Sequence, residues 1–382
     1  MSNACSLAAH AAKKTIRKKE IGKQIVDGKY PEPFERVELT EEKKNTLRRR
    51  PNVLVDEQDA NGNFIRQENL FNTAFGDGEG LNPVESGRYR LIWAKGCNWS
   101  NRVSITRELL GLEDVISVNV VSRDQYDGED FGWEFVFDPE HIDPVLGVRF
   151  LTEVYEKSYP GFPGRATVPS LVDVTTGTVA NNDYHHLTNY LEVDFKKFHK
   201  KGAPDLYPEE LREEIDKLNV WLFHNVNNGV YKIQFATGYA AYQSAYDSFY
   251  AALDILEKRL SDRRFLFGDY VTDSDIRLYV TLARLDTAYS QNLGSTKHRL
   301  VDYPNLWGYA RDLWQIPAFQ NNTYFRDFSR GFRNDGGSHK GAFLSFQERF
   351  LDQIDFDELW GSRHGREILS SDPANKFKTE GY

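Results

Sequence analysis

One cysteine lies where a strand-like segment changes to a helical pattern. Apolar residues occupy alternate positions from Tyr89 to Trp93, Gly96 permits a turn, and from Trp99 the apolar residues recur at helical spacing. The pattern predicts a strand, a turn and a helix, with Cys97 at or next to the helix N-terminus. There the unpaired backbone N–H groups and the helix dipole favour a thiolate over a thiol. This segment leaves two interpretations open: a nucleophilic or redox cysteine, or a buried structural cysteine at a strand–helix turn.

Other residue types give weaker chemical signals. Lys95 and Arg102 could add positive charge near the cysteine. His185 and His186 are adjacent on a predicted helix, so they cannot both face one metal ion, and no cysteine or carboxylate stands at ligand spacing from them. We expect no metal site there and no metal cofactor.

Composition and charge limit the function classes. The 382 residues are enough for two domains, and 40% hydrophobic with 27% charged residues is typical of a soluble globular protein. The net charge of −9 argues against nucleic-acid binding, because only Lys13–Lys23 is locally basic. Two cysteines cannot form a disulfide framework, which favours a reducing cytoplasm. We expect a cytoplasmic protein with no leader peptide and no membrane span, since no window approaches ~18 apolar residues.

The first part of the chain alternates strand and helix patterns. Segments 89–94, 99–111 and 115–121 read as strand, helix and strand, which favours a βαβ unit with parallel strands. A strand-like run then follows in which Pro169 must lie at an edge, at a strand start or in a cis bond. A hairpin turn and a helix capped within 181–183 and starting at Tyr184 complete a βαβ–ββα order.

The second part is helical almost throughout. Apolar stripes predict helices at 208–227, 239–260, 273–290 and 303–314, the third with Thr272 as N-cap and Asp275 three residues later. We divide the chain into an extension 1–60, a first domain 61–203, a helical domain 204–330 and a tail 331–382.

Together these features resemble the glutathione transferases, and among them the glutathionyl-hydroquinone reductases of the xi class, related to the omega class. The resemblance covers roughly residues 60–330. The matching motifs are 62–66, 111–118, 132–135, 164–169, 207–211, 227–232, 235–237, 275–278 and 302–306.

The resemblance implies a thioredoxin-like N-terminal domain followed by an all-helical glutathione-transferase C-terminal domain. In such a fold Pro169 is the cis-proline before the third strand, and the backbone of Val168 pairs with the cysteinyl part of glutathione. Trp133 is expected to cover the bound tripeptide and Arg165 to supply charge near the thiol. Tyr231 is expected in the substrate cleft, although ordinary packing would also explain Trp133 and Tyr231.

The implied activity is a thiol-exchange reduction. Cys97 attacks the sulfur of a glutathionyl-hydroquinone, the hydroquinone leaves, and a second glutathione resolves the mixed disulfide. Tyr231 could donate a hydrogen bond to an oxygen of the leaving ring. Glutathione would be the cosubstrate, the other partner a small aromatic or quinone-type molecule, and the protein a homodimer that needs neither metal nor nicotinamide.

The sequence departs from the family pattern at three places. The usual Cys-Pro-Trp-Ala is Cys97-Asn98-Trp99-Ser100, so the proline that favours a helix start is missing. The usual Glu-Ser pair that holds the γ-glutamyl end of glutathione is Asn182-Asp183, whose carboxylate would repel the γ-glutamyl carboxylate but could hold an amine. Near the C-terminus, Phe332 stands where a second tyrosine is expected.

These departures keep two alternatives open. One is an omega-like thiol transferase or dehydroascorbate reductase that uses glutathione or another low-molecular-weight thiol. The other is a non-catalytic binding protein on the same fold, with a cysteine of ordinary reactivity.

Overall fold

The computed structural model describes residues 34–49, 57–123, 127–329, 351 and 353–370. The chain forms two compact units, each discontinuous in sequence. The first unit contains the described residues of Met1–Pro51, Asn69–Ala94 and Gly111–Tyr190; the second contains those of Asn52–Glu68, Lys95–Leu110 and Leu191–Tyr382. The second cysteine, Cys5, lies outside the described residues, as do the expectations for Lys13–Lys23 and Phe332 and those for most of the extension 1–60 and the tail 331–382.

The first unit is built on a four-stranded sheet in the order β2-β1-β3-β4. Its strands are β1 Tyr89–Trp93, β2 Ile116–Val120, β3 Ser170–Asp173 and β4 Thr178–Asn181. β1 pairs parallel with β2 and antiparallel with β3, and β3 pairs antiparallel with β4. All five residues of β1 are buried, as expected for a central strand. This order confirms the predicted βαβ–ββα arrangement and the thioredoxin-like fold.

The helices carry the rest of both units. They are α1 Glu41–Thr46, α2 Asn98–Leu109, α3 Gly128–Phe131, α4 Leu151–Ser158, α5 Leu187–Val193, α6 Arg212–Leu222, α7 Gly229–Phe235, α8 Tyr239–Arg259, α9 Asp273–Leu285, α10 Pro304–Trp314, α11 Pro317–Asn321, α12 Phe325–Ser329 and α13 Phe356–Gly361. Short 3₁₀ turns lie at Pro139–His141, Lys196–Phe198, Glu209–Leu211, Tyr289–Gln291, Leu300–Asp302 and Arg366–Ile368, and a π-helical turn at Phe223–Asn227. Among the described helices, none is both long enough and apolar enough to cross a membrane.

Two local predictions near β3 and β4 can be compared with the structure. The Val168–Pro169 peptide bond is cis, and β3 begins at the next residue. The helix predicted from Tyr184 starts at Leu187 instead. The reason is a preceding turn, in which the Leu187 N–H donates to the Asp183 carbonyl at 2.8 Å and the His185 N–H to the Asp183 side chain at 2.9 Å. Asp183 therefore caps the turn rather than the helix.

The buried helix α9 forms the centre of the second unit. All thirteen of its residues are buried. Its predicted start is confirmed, because the Thr272 N–H donates to the Asp275 carboxylate at 2.8 Å and the two residues form a capping box. Asp275 also accepts from the Tyr309 hydroxyl at 2.7 Å, which joins α9 to α10.

Candidate functional site

Cys97 is the N-cap of α2 in the second unit. Its backbone is extended (φ −81°, ψ 119°), and its carbonyl accepts the first helical hydrogen bond from the Asn101 N–H at 3.0 Å. Its side chain makes no capping hydrogen bond and is half-buried. The thiol therefore lies at a helix N-terminus, where backbone N–H groups and the helix dipole stabilise negative charge.

Tyr231 contacts the first turn of the cysteine helix. Its hydroxyl donates to Asn98 Oδ1 at 3.5 Å, and its ring centroid lies 5.9 Å from that of Trp99. The Arg66 guanidinium lies 4.6 Å from the Trp99 ring centroid and 4.5 Å from that of Tyr231, a cation–π arrangement. The helix of Tyr231 follows directly after the π-helical turn at Phe223–Asn227, and such turns are frequent near functional sites. The two residues predicted to be catalytic thus belong to one compact unit.

A second phenol, Tyr289, lies beside Tyr231. Their ring centroids are 6.1 Å apart in an edge-to-face arrangement, and Tyr289 is only 7% exposed. Burial, followed by the neighbouring Tyr231 hydroxyl, raises the pKa of Tyr289 well above its ordinary value, so the phenol keeps its proton. Sequence reasoning missed Tyr289, because periodicity does not separate it from core tyrosines.

In the first unit, residues predicted to bind the thiol lie around another buried phenol, that of Tyr155. The Tyr155 hydroxyl donates to the Thr167 carbonyl at 2.9 Å and accepts from Asn182 Nδ2 at 3.1 Å. Tyr155 thus joins Asn182 to the residue that precedes Val168 and the cis bond. Asn182 Oδ1 accepts from the Phe71 N–H at 3.2 Å, so both ends of its amide are engaged within the unit. Tyr155 was also missed from sequence.

Asp183 is held by neighbours in the same unit. It accepts hydrogen bonds from Asn69 Nδ2 at 3.2 Å, the His185 N–H at 2.9 Å and His186 Nδ1 at 2.7 Å. Burial works to raise the pKa of Asp183, but the bonds from His186 and the His185 N–H outweigh it, so the pKa is lowered. The side chain is therefore a fixed carboxylate at neutral pH.

The remaining predicted residues also lie in the first unit. Trp133 is half-buried, and the Arg123 guanidinium lies 5.2 Å from its ring centroid. The next residue, Glu134, exchanges two backbone hydrogen bonds with Ser122 at 2.8 and 2.9 Å. Arg165 is half-buried, and Val168 and Pro169 are buried. The predicted site residues therefore divide between the two units, with Cys97 and Tyr231 in the second and the thiol-binding set in the first.

A metal site finds no support in the part of the chain that the structure describes. There, no group of three or more His, Cys, Asp or Glu side chains could hold a metal ion. The His186 ring instead contacts the Asp183 carboxylate.

Comparison with known proteins gives a consistent family. The model of the glutathione S-transferase C-terminal domain matches residues 239–312. Glutathionyl-hydroquinone reductase YqjG of Escherichia coli (strain K12) is 36% identical over 279 residues, covering 71% of this chain and 84% of that protein. Glutathionyl-hydroquinone reductase PcpF of Sphingobium chlorophenolicum is 37% identical over 254 residues, covering 66% and 78%.

Solved structures agree with these relatives. A glutathione transferase from Gordonia bronchialis DSM 43247 matches with a TM-score of 0.72 at 37% identity, covering 81% of this chain and 94% of its own. The glutathione-bound structure of YqjG matches with a TM-score of 0.64 at 32% identity, covering 84% and 96%. This chain belongs to the glutathione transferase family, in the group of the xi-class transferases and glutathionyl-hydroquinone reductases.

Proposed function

We propose that this protein is a glutathione-dependent reductase that removes the glutathionyl group from glutathionyl-hydroquinones through a Cys97 mixed disulfide. The observation that carries the proposal is the cysteine at the α2 N-terminus, with the Tyr231 hydroxyl bonded to the adjacent Asn98 at 3.5 Å. Family membership supplies the reaction class, because both named relatives are glutathionyl-hydroquinone reductases.

The reaction is a pair of thiol exchanges. The Cys97 thiolate attacks the thioether sulfur, so that an S–S bond forms while the bond from sulfur to the ring carbon breaks. The released electron pair stays with the ring, whose carbon takes up a proton, and the free hydroquinone leaves. The thiolate of a second glutathione then attacks the glutathione sulfur of the mixed disulfide. This step yields oxidised glutathione and returns Cys97 as a thiolate, so the ring carbon is reduced while the substrate's thioether sulfur and the sulfur of the second glutathione are oxidised.

The proposed roles of the other residues follow from their chemistry. Tyr231 donates a hydrogen bond to an oxygen of the leaving ring, where negative charge develops. In the first unit, Val168 pairs its backbone with the cysteinyl part of glutathione at the cis-Pro169 turn. Trp133 covers the tripeptide, and Arg165 supplies positive charge near the thiol.

A second candidate function arises from the question of which thiol the protein uses. Asn182 and Asp183 stand at the positions expected to bind the γ-glutamyl end, but their polar side-chain atoms already bond to their own unit. A fixed carboxylate there repels the γ-glutamyl carboxylate. This observation favours the alternative of an omega-like thiol transferase or dehydroascorbate reductase that accepts another low-molecular-weight thiol.

Intact mass spectrometry after treatment with oxidised glutathione tests the proposal. We expect one glutathione adduct in the wild type and in Cys5→Ser, and none in Cys97→Ser, followed by turnover of a glutathionyl-hydroquinone. Rapid alkylation of Cys97 without a glutathione adduct would favour the other thiol. Slow alkylation and no adduct would leave a non-catalytic binding protein.

The cellular setting belongs to the same proposal. A thiol cycle that regenerates a cysteine thiolate requires a reducing compartment, which supports a cytoplasmic location. We also propose a homodimer, by analogy with the family, with size-exclusion chromatography coupled to light scattering as its test.

A further inference from the structure

A buried arginine forms hydrogen bonds to residues on both sides of Cys97 in the sequence. Arg284 lies near the C-terminal end of α9 and is 1% exposed. Its Nε donates to the Gly96 carbonyl at 3.2 Å and its guanidinium to the Lys95 carbonyl at 3.4 Å, both just before Cys97. It also donates to Asn101 Oδ1 at 3.1 Å, in the first turn after the cysteine. One side chain thus fixes the loop before and the helix turn after the thiol.

The charge of Arg284 is not neutralised by a carboxylate in the part of the chain that the structure describes. Its remaining neighbours are the Val280 carbonyl at 2.7 Å and the Phe328 ring, whose centroid is 3.6 Å from the guanidinium carbon. Burial lowers the pKa of Arg284, and the groups that oppose this effect are Tyr289, then Cys97, Tyr231 and Tyr279, which carry negative charge only when deprotonated. A buried cation without a counter-charge is costly.

Two other buried arginines of the same unit are paired with carboxylates. Arg264 makes a bidentate ion pair with Asp312 at 2.8 and 2.9 Å. Arg277, two turns before Arg284 on α9, pairs with Asp273 at 2.7 Å. Arg366 of the same unit is, like Arg284, held by backbone carbonyls, so it is the contacts of Arg284 on both sides of Cys97 that point to the cysteine.

We propose that Arg284 is the positioning residue and the charge partner of the Cys97 thiolate. The inference rests on the proposed function and deepens it. Arg284 holds the loop at Lys95–Gly96 so that Cys97 stays at the helix N-terminus, and its charge is balanced whenever the thiolate is present. In the mixed disulfide that negative charge is gone, so the second exchange is favoured because it restores the thiolate next to the cation.

Several charged or titratable groups lie around the α2 N-terminus and enter the pH profile. They are Arg284 on α9, Tyr231 on α7, Tyr289 in its 3₁₀ turn, Arg66 against Trp99, Arg102 on α2 and Lys95 before the cysteine. The test must therefore change Arg284 alone and leave the others in place.

The rate of Cys97 alkylation by iodoacetamide, measured from pH 5 to 10, is the readout. In Arg284→Gln we expect the profile to move to higher pH and the rate at pH 7 to fall about tenfold, because the thiolate loses its charge partner. Arg284→Lys keeps the charge but loses the forked hydrogen bonds, so its rate at pH 7 should fall between those of wild type and Arg284→Gln. Arg277→Lys, on the same helix, should leave the profile unchanged. A folded Arg284→Gln protein with the wild-type profile would overturn the proposal.

A second measurement decides the matter if Arg284→Gln does not fold. Cys97→Asp supplies a permanent anion, whereas Cys97→Asn has the same shape without charge. We expect Cys97→Asp to melt at a higher temperature than Cys97→Asn. The control is Asp355→Asn, which removes a charge at the exposed N-cap of α13. The difference between the two Cys97 variants should exceed the difference between wild type and Asp355→Asn. An equal or lower melting temperature for Cys97→Asp would contradict the proposal.

The two proposals can fail separately. Neither readout uses the reductase substrate. A shifted alkylation profile without turnover of glutathionyl-hydroquinone would retain the Arg284 inference and reject the function. Turnover with an unchanged profile in Arg284→Gln would do the reverse.

Discussion

Two buried arginines, one in each unit, are held in opposite ways. In the first unit, Arg90 and Asp143 are both fully buried and form an ion pair at 2.8 Å. In the second unit, Arg284 is bonded to carbonyl and amide oxygens and to a ring. A carboxylate partner satisfies a cation permanently, so the first arrangement fixes structure. A cation held by neutral groups retains its attraction for a new anion, so the second arrangement fits a site where charge appears during a reaction.

The ion pair in the first unit is part of a larger network that holds residues 132–150. Asn119 on β2 donates to both Asp138 and Asp143 at 2.6 Å, and Asp143 also accepts the Val145 and Leu146 N–H groups at 2.7 Å. A second cluster joins Arg149 to Glu134 at 2.7 Å. Because this segment includes Trp133, the network connects the proposed cover of the thiol to the sheet.

The largest expected effect comes from breaking the ion pair of the first unit. Asp143→Ala leaves the Arg90 charge buried without its partner, so we expect the free energy of unfolding to fall by about 3–5 kcal/mol. Urea unfolding measures the change. The double variant Arg90→Met/Asp143→Leu should recover part of the loss, because it removes both charges. A cost below about 1 kcal/mol for Asp143→Ala would show that the pair does not behave as a buried one.

The same network predicts a pH dependence of stability. Burial, then the adjacent charge of Asp143, raises the pKa of Asp138 from 3.8 to about 7. The folded state therefore binds this proton more tightly than the unfolded chain, and the stabilisation is complete below about pH 4 and is lost as the pH rises through 7. The free energy of unfolding should fall by about 2–4 kcal/mol over this range. Asp138→Asn should flatten that part of the profile; an unchanged slope would assign the dependence to other groups.

In the second unit, substitutions of the tyrosines are expected to change the reaction rate rather than the stability of the fold. Tyr231→Phe removes the proposed donor to the leaving ring, so kcat for glutathionyl-hydroquinone should fall about a hundredfold. Cys97 alkylation should stay near the wild-type rate, because the cysteine keeps its helix N-terminus. Tyr289→Phe is the matched variant and should lose less activity. Equal losses in the two variants would contradict a donor role specific to Tyr231.

The smallest effect concerns the affinity for the thiol. Asp183→Ser removes the fixed carboxylate beside the proposed γ-glutamyl position, so the KM for glutathione should fall about threefold with little change in kcat. Steady-state kinetics with varied glutathione measures this. A higher KM would mean that Asp183 holds the amine of the thiol instead of repelling its carboxylate.

Local patterns predicted the framework of the fold because its signals are short-range. The alternation in β1 and the change of period after Gly96 placed Cys97 at a helix N-terminus, and the Thr272–Asp275 spacing gave the start of α9. The start of α5 was predicted three residues too early, because Asp183 caps the turn that precedes the helix.

Long-range contacts could not be read from such patterns. Arg284 meets the cysteine loop across 188 residues of sequence, and the Asn182 amide meets Tyr155 across 27. A buried helical stripe predicts that such positions face a core, but it does not say which polar group lies opposite. The family resemblance supplied the candidate roles of Cys97 and Tyr231, whereas Arg284, Tyr289 and Tyr155 required the structure.

The π-helical turn at Phe223–Asn227 sets the rotational phase of the next helix, α7. The Asn228 N–H donates to the Phe223 carbonyl at 2.8 Å, five residues back, so the turn holds one residue more than an α-helical turn would. Deleting one residue from the turn would rotate every side chain of α7 by about 100° about the helix axis. The direction in which the Tyr231 hydroxyl points therefore depends on the number of residues in this turn. A deletion there would redirect or inactivate the proposed site without changing any residue proposed to take part in the chemistry.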